Sequence, residues 1–175
     1  MLVDDIHITI TAGHGGPGRV STSKRSKLKP HGGKGGRGGD VYVITTSDLL
    51  ALNRFSGLKE IKAEDGHPGG SNNCSGKDGQ DIEVQFPIGT SITDLETHVV
   101  IELTTPGQRI LLCIGGLGGR GDYELKSFAQ PGLSGKSMPA RLILKYLAKY
   151  GLIGLPNAGK SSLLNELTNA HAEVG

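Results

Sequence analysis

The sequence predicts a mainly β protein: glycine-rich polyproline II segments set on a small antiparallel β-barrel, followed by an incomplete α/β phosphate-binding domain. Three observations predict this fold class. Glycine supplies 29 of the 175 residues, well above the average share of about 7%. Short strand-like runs alternate with turn residues, and a phosphate-loop motif lies near residue 160. We place the two domains at residues 1–146 and 147–175.

Short strand-like runs flank the glycine blocks. Each run has alternating or mostly apolar residues, and turn sequences such as Pro-Ile-Gly-Thr and Thr-Pro-Gly-Gln separate them. The predicted strands cover residues 5–11, 40–46, 81–86, 98–103, 109–114 and 140–146. Strands of this length and spacing are typical of a small antiparallel barrel or sandwich.

The glycines repeat in register. In GGKGGRGGD, residues 32–40, the unit Gly-Gly-X occurs three times. A polyproline II helix has three residues per turn, so two of its faces here carry only hydrogen and neighbouring segments can approach backbone to backbone. A flexible linker would mix glycine with serine. A disordered RNA-binding segment would interleave aromatic residues, yet the chain has no Trp and only three Phe. We therefore expect rigid, packed segments.

The charge is small overall but uneven. The formal net charge is +2, yet residues 19–37 hold seven basic residues and no acidic one, whereas the rest holds 12 basic and 17 acidic residues. This asymmetry indicates either a local contact with a polyanion or a solvated loop whose charges maintain solubility.

The first residues, one apolar run and the cysteines indicate where in the cell the protein is expected. Residues 1–10 contain two acidic residues where an export signal needs basic ones, and Lys145 and Lys149 interrupt the apolar run 142–155. The two cysteines, Cys74 and Cys113, and the six histidines form no metal-ligand pattern. We expect a cytoplasmic protein without a membrane span or a metal site built from these residues.

The strongest single motif is GLPNAGKS, Gly154–Ser161, which fits the phosphate-loop pattern G-x-x-x-x-G-K-[ST]. An apolar strand pattern precedes it, and a helix pattern follows with Leu163, Leu164 and Leu167 on one face. Loop N–H groups would hold a phosphate, Lys160 would reach the β and γ phosphates, and the Ser161 hydroxyl would bind Mg²⁺. The predicted nucleotide-binding residues are Gly154, Leu155, Pro156, Asn157, Ala158, Gly159, Lys160, Ser161 and Ser162.

Together these motifs carry a family resemblance. GGKGGRGGDV, AEDGHPGG, GKDGQD, PIGTSITD and GGLGGRG, followed by GLIGLPNAGKSSLLNELTNAHAEVG, closely resemble the Obg family of ribosome-associated GTPases over essentially the whole chain. The resemblance implies a monomer that uses GTP as substrate with Mg²⁺ and acts on the large ribosomal subunit, in its assembly or in stress control. It also implies contact with ribosomal RNA. The predicted RNA-binding residues are Lys24, Arg25, Lys27, Lys29, Lys34 and Arg37.

Several positions depart from the family pattern. Ile88 replaces a usual proline, Asp122 stands where asparagine is common, and the segment 123–139 is short and lacks a Gly-Glu repeat. The later GTPase motifs, including the one that reads guanine, would fall beyond Gly175. Two functional hypotheses therefore remain. The parent protein is expected to be a GTPase, and this chain alone is expected to be an RNA-binding module in which residues 147–175 are an inert remnant.

Asn157 has two interpretations. Some GTPases that resemble this one have asparagine at this place and bind K⁺ near the phosphates, which makes Asn157 a candidate K⁺ ligand and catalytic residue beside Lys160. Asparagine after Pro156 equally suits a tight turn.

Overall fold

The computed structural model describes residues 4–23, 26–125, 128–145 and Leu163, with backbone only between residues 22 and 30. The chain divides into two compact units, Met1–Lys145 and Tyr146–Gly175. We call the first unit the glycine domain. In the second unit, Leu163 is helical and 48% exposed. No helix among the described residues is long and apolar enough to cross a membrane.

The glycine domain is built mainly of short strands. In chain order these are β1 (Asp5–Thr11), β2 (Thr22–Ser23), β3 (Ser26–Pro30), β4 (Val41–Thr46), β5 (Glu60–Lys62), β6 (Ile82–Pro87), β7 (Thr90–Asp94), β8 (Val100–Glu102), β9 (Arg109–Cys113) and β10 (Ser137–Leu144). A 3₁₀ helix spans Ala51–Phe55, and one turn of α-helix, α1, spans Asp122–Leu125.

The strands form open sheets. The first has the order β5-β1-β10-β7-β8, the second β6-β4-β9, and β2 pairs only with β3. Most neighbours are antiparallel, but β1 runs parallel to β5 and β4 runs parallel to β6. This differs from the predicted antiparallel barrel. Parallel neighbours require long crossover connections, and here the glycine-rich residues 12–40 and 63–81 form part of them.

One hydrophobic core is shared by the two larger sheets. Alternation along β1 buries Ile6, Ile8 and Ile10, while β4 buries Val41 and Val43. The same cluster includes Leu52 of the 3₁₀ helix, Phe86 of β6, Ile92 of β7 and Leu142 of β10. Apolar side chains from both sheets therefore leave water together, which is the main favourable contribution to folding.

Six glycine-rich segments pack outside the sheets, and we call them the glycine bundle. They are residues 12–20, 31–40, 63–70, 74–81, 114–121 and 128–136. A Cβ atom added at Gly35 would overlap the carbonyl oxygen of Gly16, and one added at Gly36 would overlap that of Lys77. The backbone-to-backbone approach predicted from the Gly-Gly-X repeat is therefore present.

Backbone hydrogen bonds connect these segments in closed triangles. The Gly16 N–H donates to the Gly36 carbonyl at 2.9 Å, Gly35 donates to Gly119 at 2.8 Å, and Gly119 donates back to Gly16 at 2.9 Å. The same pattern recurs three residues closer to the strands, where Gly13 donates to Gly39, Gly38 donates to Gly116, and Gly116 donates back to Gly13. This spacing agrees with three-residue turns, and the polyproline II conformation itself stays a prediction.

Candidate nucleic-acid interface

The glycine bundle consists of three excursions from the sheets. Residues 12–40 connect β1 to β4, residues 63–81 connect β5 to β6, and residues 114–136 connect β9 to β10. Each excursion leaves the sheets and returns to them, so its direction changes between the described residues 20 and 31, 70 and 74, or 121 and 128 respectively. The Asn73 N–H donates to the His31 carbonyl at 2.7 Å, and the Tyr123 N–H donates to that of Gly32 at 3.2 Å. The three reversals therefore meet at one end of the bundle, which we call the distal end.

The largest reversal contains a hairpin formed by the described residues 22–23 and 26–30, which we call the basic hairpin. β2 and β3 pair antiparallel, with Thr22 opposite Pro30 and Ser23 opposite Ser26. The base of the hairpin is closed by a hydrogen bond from the His31 N–H to the Ser21 carbonyl at 2.9 Å. Lys27 and Lys29, from the most basic stretch of the sequence, thus lie on a strand that directly adjoins the packed glycine bundle.

Asp122 ties the base of the hairpin to the bundle. Its side-chain oxygens accept the N–H of Ser21 at 2.9 Å and that of Gly32 at 2.5 Å, on opposite sides of the hairpin. Its own N–H donates to the Arg19 carbonyl at 3.0 Å. Asp122 is only 2% exposed. Because a buried carboxylate is retained where it accepts several hydrogen bonds, we assign it the role of a clamp.

Other carboxylates accept N–H groups along the edges of the bundle. Asp65 accepts that of His14 at 2.8 Å, and Glu64 accepts that of Gln80 at 3.0 Å. The hydrogen bond from Lys62, followed by the one from His14, lowers the pKa of Asp65. The Gln80 N–H is the main cause that lowers the pKa of Glu64.

The lowered pKa values of Asp65 and Glu64 determine how the stability of the folded chain changes with pH. Both carboxyl groups bind protons more weakly in the folded chain than in the unfolded one, so their contribution to stability is present above the ordinary carboxyl range near pH 4. That contribution is lost as the pH falls through the lowered pKa values of Asp65 and Glu64. Both groups are therefore charged acceptors at neutral pH.

Comparison with known proteins gives two family matches. Residues 3–146 match the family described as GTP1/OBG. The chain belongs to the GTP1/OBG family. Residues 149–175 match a second family, described as 50S ribosome-binding GTPase. The boundary between the two matches lies close to that between the two compact units.

Relatives of this GTP1/OBG member align along nearly its whole length. It is 40% identical to the GTPase Obg of Coprothermobacter proteolyticus, covering 99% of this chain and 44% of the relative. It is 41% identical to the proteins of that name from Malacoplasma penetrans and Synechocystis, again over 99% of this chain, and covers 43% and 50% of them. The chain thus spans about half the length of the curated relatives it matches.

Two of the cations predicted to bind RNA are described with their side chains. Lys34 is exposed. Arg37 is half-buried, and its guanidinium pairs with the buried Asp40 carboxylate at 2.6 Å, so it also has a structural role in this GTP1/OBG member.

The remaining site residues fall where less is described. Lys27 and Lys29 lie on β3, where only the backbone is described, and Lys24 and Arg25 lie outside the described residues. The predicted phosphate loop, Gly154–Ser162, also lies outside them.

Two groups of residues at the distal end could not be assigned to the interface from the sequence. Asp122 stood out only as a departure from the family pattern, since its partners are 90 and 101 residues away in the chain. Tyr123 and Phe128 are 52% and 53% exposed, but they lie far in sequence from the basic stretch. No local sequence pattern could place either group beside the hairpin.

Proposed function

We propose that this chain is part of a GTP-binding and GTP-hydrolysing factor of the cytoplasm that acts as a monomer on the large ribosomal subunit, in its assembly or in stress control. In this proposal the glycine domain contacts ribosomal RNA through the distal end. The observation that carries it is the match of residues 149–175 to a 50S ribosome-binding GTPase family, directly after a GTP1/OBG domain.

The arrangement of the distal end supports contact with RNA. Lys27 and Lys29 lie on β3 of a hairpin whose base is held by Asp122 and His31, and Lys24 and Arg25 come between β2 and β3 in the sequence. Phosphate groups provide most of the sequence-independent affinity of proteins for nucleic acids, and lysine and arginine are their usual partners. A supported hairpin loses less conformational freedom on binding than a free loop does.

The second unit supplies the groups that a nucleotide requires. The Ser161 hydroxyl is a hard oxygen ligand of the kind Mg²⁺ prefers, and Lys160 brings a positive charge for the phosphates, so the donor set fits Mg²⁺ with GTP. The bound ion would neutralise charge that develops on the phosphates. We also propose Asn157 as a K⁺ ligand, with ordinary turn chemistry as the alternative.

Replacing Lys24, Arg25, Lys27 and Lys29 together with alanine is expected to weaken binding to large ribosomal subunits about thirtyfold near physiological salt. Each lost phosphate contact also removes about 0.7 to 0.9 from the slope of log K against log salt, so the slope should fall by about 3. Co-sedimentation across a salt series measures both quantities.

The matched control removes four cations elsewhere in the glycine domain, by alanine at Arg54, Lys59, Lys62 and Lys145. The ion pairs of Arg54, Lys62 and Lys145 are exposed, and so is Lys59. Little stability is therefore lost with them, and the net charge changes equally. If both quadruple variants reduce the salt slope to the same extent, general charge rather than the hairpin accounts for binding, and this part of the proposal is wrong.

Lys160→Ala, in a protein extended to the length of the relatives, is expected to reduce GTP hydrolysis about a hundredfold, because the β and γ phosphates lose their positive partner. Phosphate release under saturating GTP is the measurement, and Lys149→Ala, outside the motif, is the control. Unchanged hydrolysis in Lys160→Ala would refute the role of Lys160. Absence of hydrolysis in the extended parent would favour the second candidate, an RNA-binding module alone, to which the compact glycine domain with its own core lends support.

A further inference from the structure

We propose that Tyr123, together with Phe128, forms a stacking surface for unpaired RNA bases beside the basic hairpin. The inference rests on the proposed contact of the glycine domain with RNA. It adds a second kind of recognition, in which aromatic rings bind bases while the hairpin cations bind phosphates.

The backbone of Tyr123 is fixed against the hairpin base. Its N–H donates to the carbonyl of Gly32 at 3.2 Å. The preceding residue, Asp122, holds the N–H of the same Gly32 at 2.5 Å and that of Ser21 at 2.9 Å. The backbone of Tyr123 is therefore held in place next to Asp122. A rigid binding surface requires such a fixed backbone.

Exposure distinguishes Tyr123 and Phe128 from the other aromatic residues that the structure describes. Phe55 and Phe86 pack edge to face with centroids 5.3 Å apart, and Tyr42 lies under the Arg109 guanidinium at 3.4 Å. Tyr123 and Phe128 are 52% and 53% exposed. Within the described part of the chain, the aromatic rings left to solvent are thus Tyr123, in the third reversal of the bundle, and Phe128, at the start of the segment that follows it.

Phe128 approaches the same end along the returning segment. The Gln130 N–H, two residues beyond Phe128, donates to the Arg120 carbonyl at 2.8 Å, and Leu133 donates to Leu117 at 2.8 Å. Residues 128–133 therefore run antiparallel to residues 117–120, which brings Phe128 towards the reversal that contains Tyr123.

Two exposed arginines lie near this position, together with the acidic residues Asp122 and Glu124. Arg19 is exposed and its carbonyl accepts the Asp122 N–H, so it lies beside the clamp. Arg120 is also exposed, with Glu124 at 3.8 Å as an ion-pair partner. Phosphates on either side of a stacked base would therefore meet cations from the bundle as well as from the basic hairpin.

These features fit single-stranded RNA better than a duplex. Unpaired bases expose their faces and stack on tyrosine and phenylalanine, and this stacking tolerates most sequences. Paired bases are already stacked and cover these faces. Stacking releases no counterions, so its loss should change affinity without changing the salt slope.

The test compares Tyr123→Ser and Tyr123→Phe in the full 175-residue chain. Tyr123→Ser is expected to weaken binding of a single-stranded RNA oligonucleotide about tenfold, with an unchanged salt slope and unchanged affinity for the duplex of the same sequence. Tyr123→Phe keeps the ring and should bind within about twofold of the parent. Phe128→Ser should weaken single-strand binding in the same direction as Tyr123→Ser.

Leu117→Ser is the matched control, because Leu117 is 60% exposed on the bundle but lies before the distal end. Thermal unfolding of each variant shows that the fold is retained. The proposal is overturned if Tyr123→Ser binds single strands like the parent, or if Tyr123→Phe loses as much affinity as Tyr123→Ser. If the Tyr123 variants show no loss while the quadruple hairpin variant has a reduced salt slope, only the stacking proposal is wrong. If the quadruple hairpin variant has an unchanged salt slope, the proposed RNA contact itself is wrong.

Discussion

Gly35→Val is expected to lower the free energy of unfolding of the glycine domain by about 3 kcal/mol or more, at the upper end of overpacking effects. The added Cβ would overlap the carbonyl oxygen of Gly16, and backbone cannot move aside as a flexible side chain can. The Gly35 N–H also donates to Gly119 at 2.8 Å, so separating the segments breaks a triangle of hydrogen bonds. Urea denaturation provides the measurement.

Adjacent positions in the same triplet provide the controls. Gly36→Val should be as harmful, because its Cβ would overlap the Lys77 carbonyl oxygen. Lys34→Val should be nearly neutral, since Lys34 is exposed. Equal stability of the variants at positions 34 and 35 would show that the segments can separate without loss, contrary to close packing.

Asp122→Ala is expected to destabilise the glycine domain by about 2 to 5 kcal/mol, since each buried N–H left without an acceptor costs about 1 to 3 kcal/mol. The groups affected are the N–H groups of Ser21 and Gly32. Hydrogen exchange at these two amides should accelerate more than at amides in β1, because release of the hairpin base is a local opening.

Two further variants separate the clamp from a general charge effect. Asp122→Asn keeps one acceptor oxygen, so an intermediate loss of stability is expected. Asp48→Ala removes an exposed carboxylate that accepts the Leu50 N–H at 3.0 Å, and it should cost less than about 1 kcal/mol. Equal losses in Asp48→Ala and Asp122→Ala would contradict the clamp.

The sequence predicted strand positions better than strand directions. The predicted strand 5–11 coincides with β1, and the prediction 109–114 exceeds β9 by one residue. β7 was missed because its buried residues, apart from Ile92, are threonine, serine and aspartate. Alternation of apolar and polar residues indicates which side chains of a strand are buried, but it does not indicate which strand is its neighbour. The parallel pairs could therefore not be predicted.

The candidate interface was predictable in part for a similar reason. A run of basic residues is visible locally, and so is a repeat of glycines at three-residue spacing. The contacts of Asp122 and Tyr123 with the hairpin base join positions about 90 residues apart, and no local pattern encodes them. They follow from three excursions that all reverse at one end.

The closed triangles of hydrogen bonds in the glycine bundle also restrict how its genes can vary in length. Inserting one codon within a segment would move every later residue to the next of three faces, bringing side chains such as those of Lys34 and Arg37 against neighbouring carbonyl groups. Inserting three codons would restore the order of the faces. Length polymorphism within the segments is therefore expected in multiples of three codons, whereas insertions in the reversals at the distal end need not follow this rule where they leave the contacts of Asp122 in place.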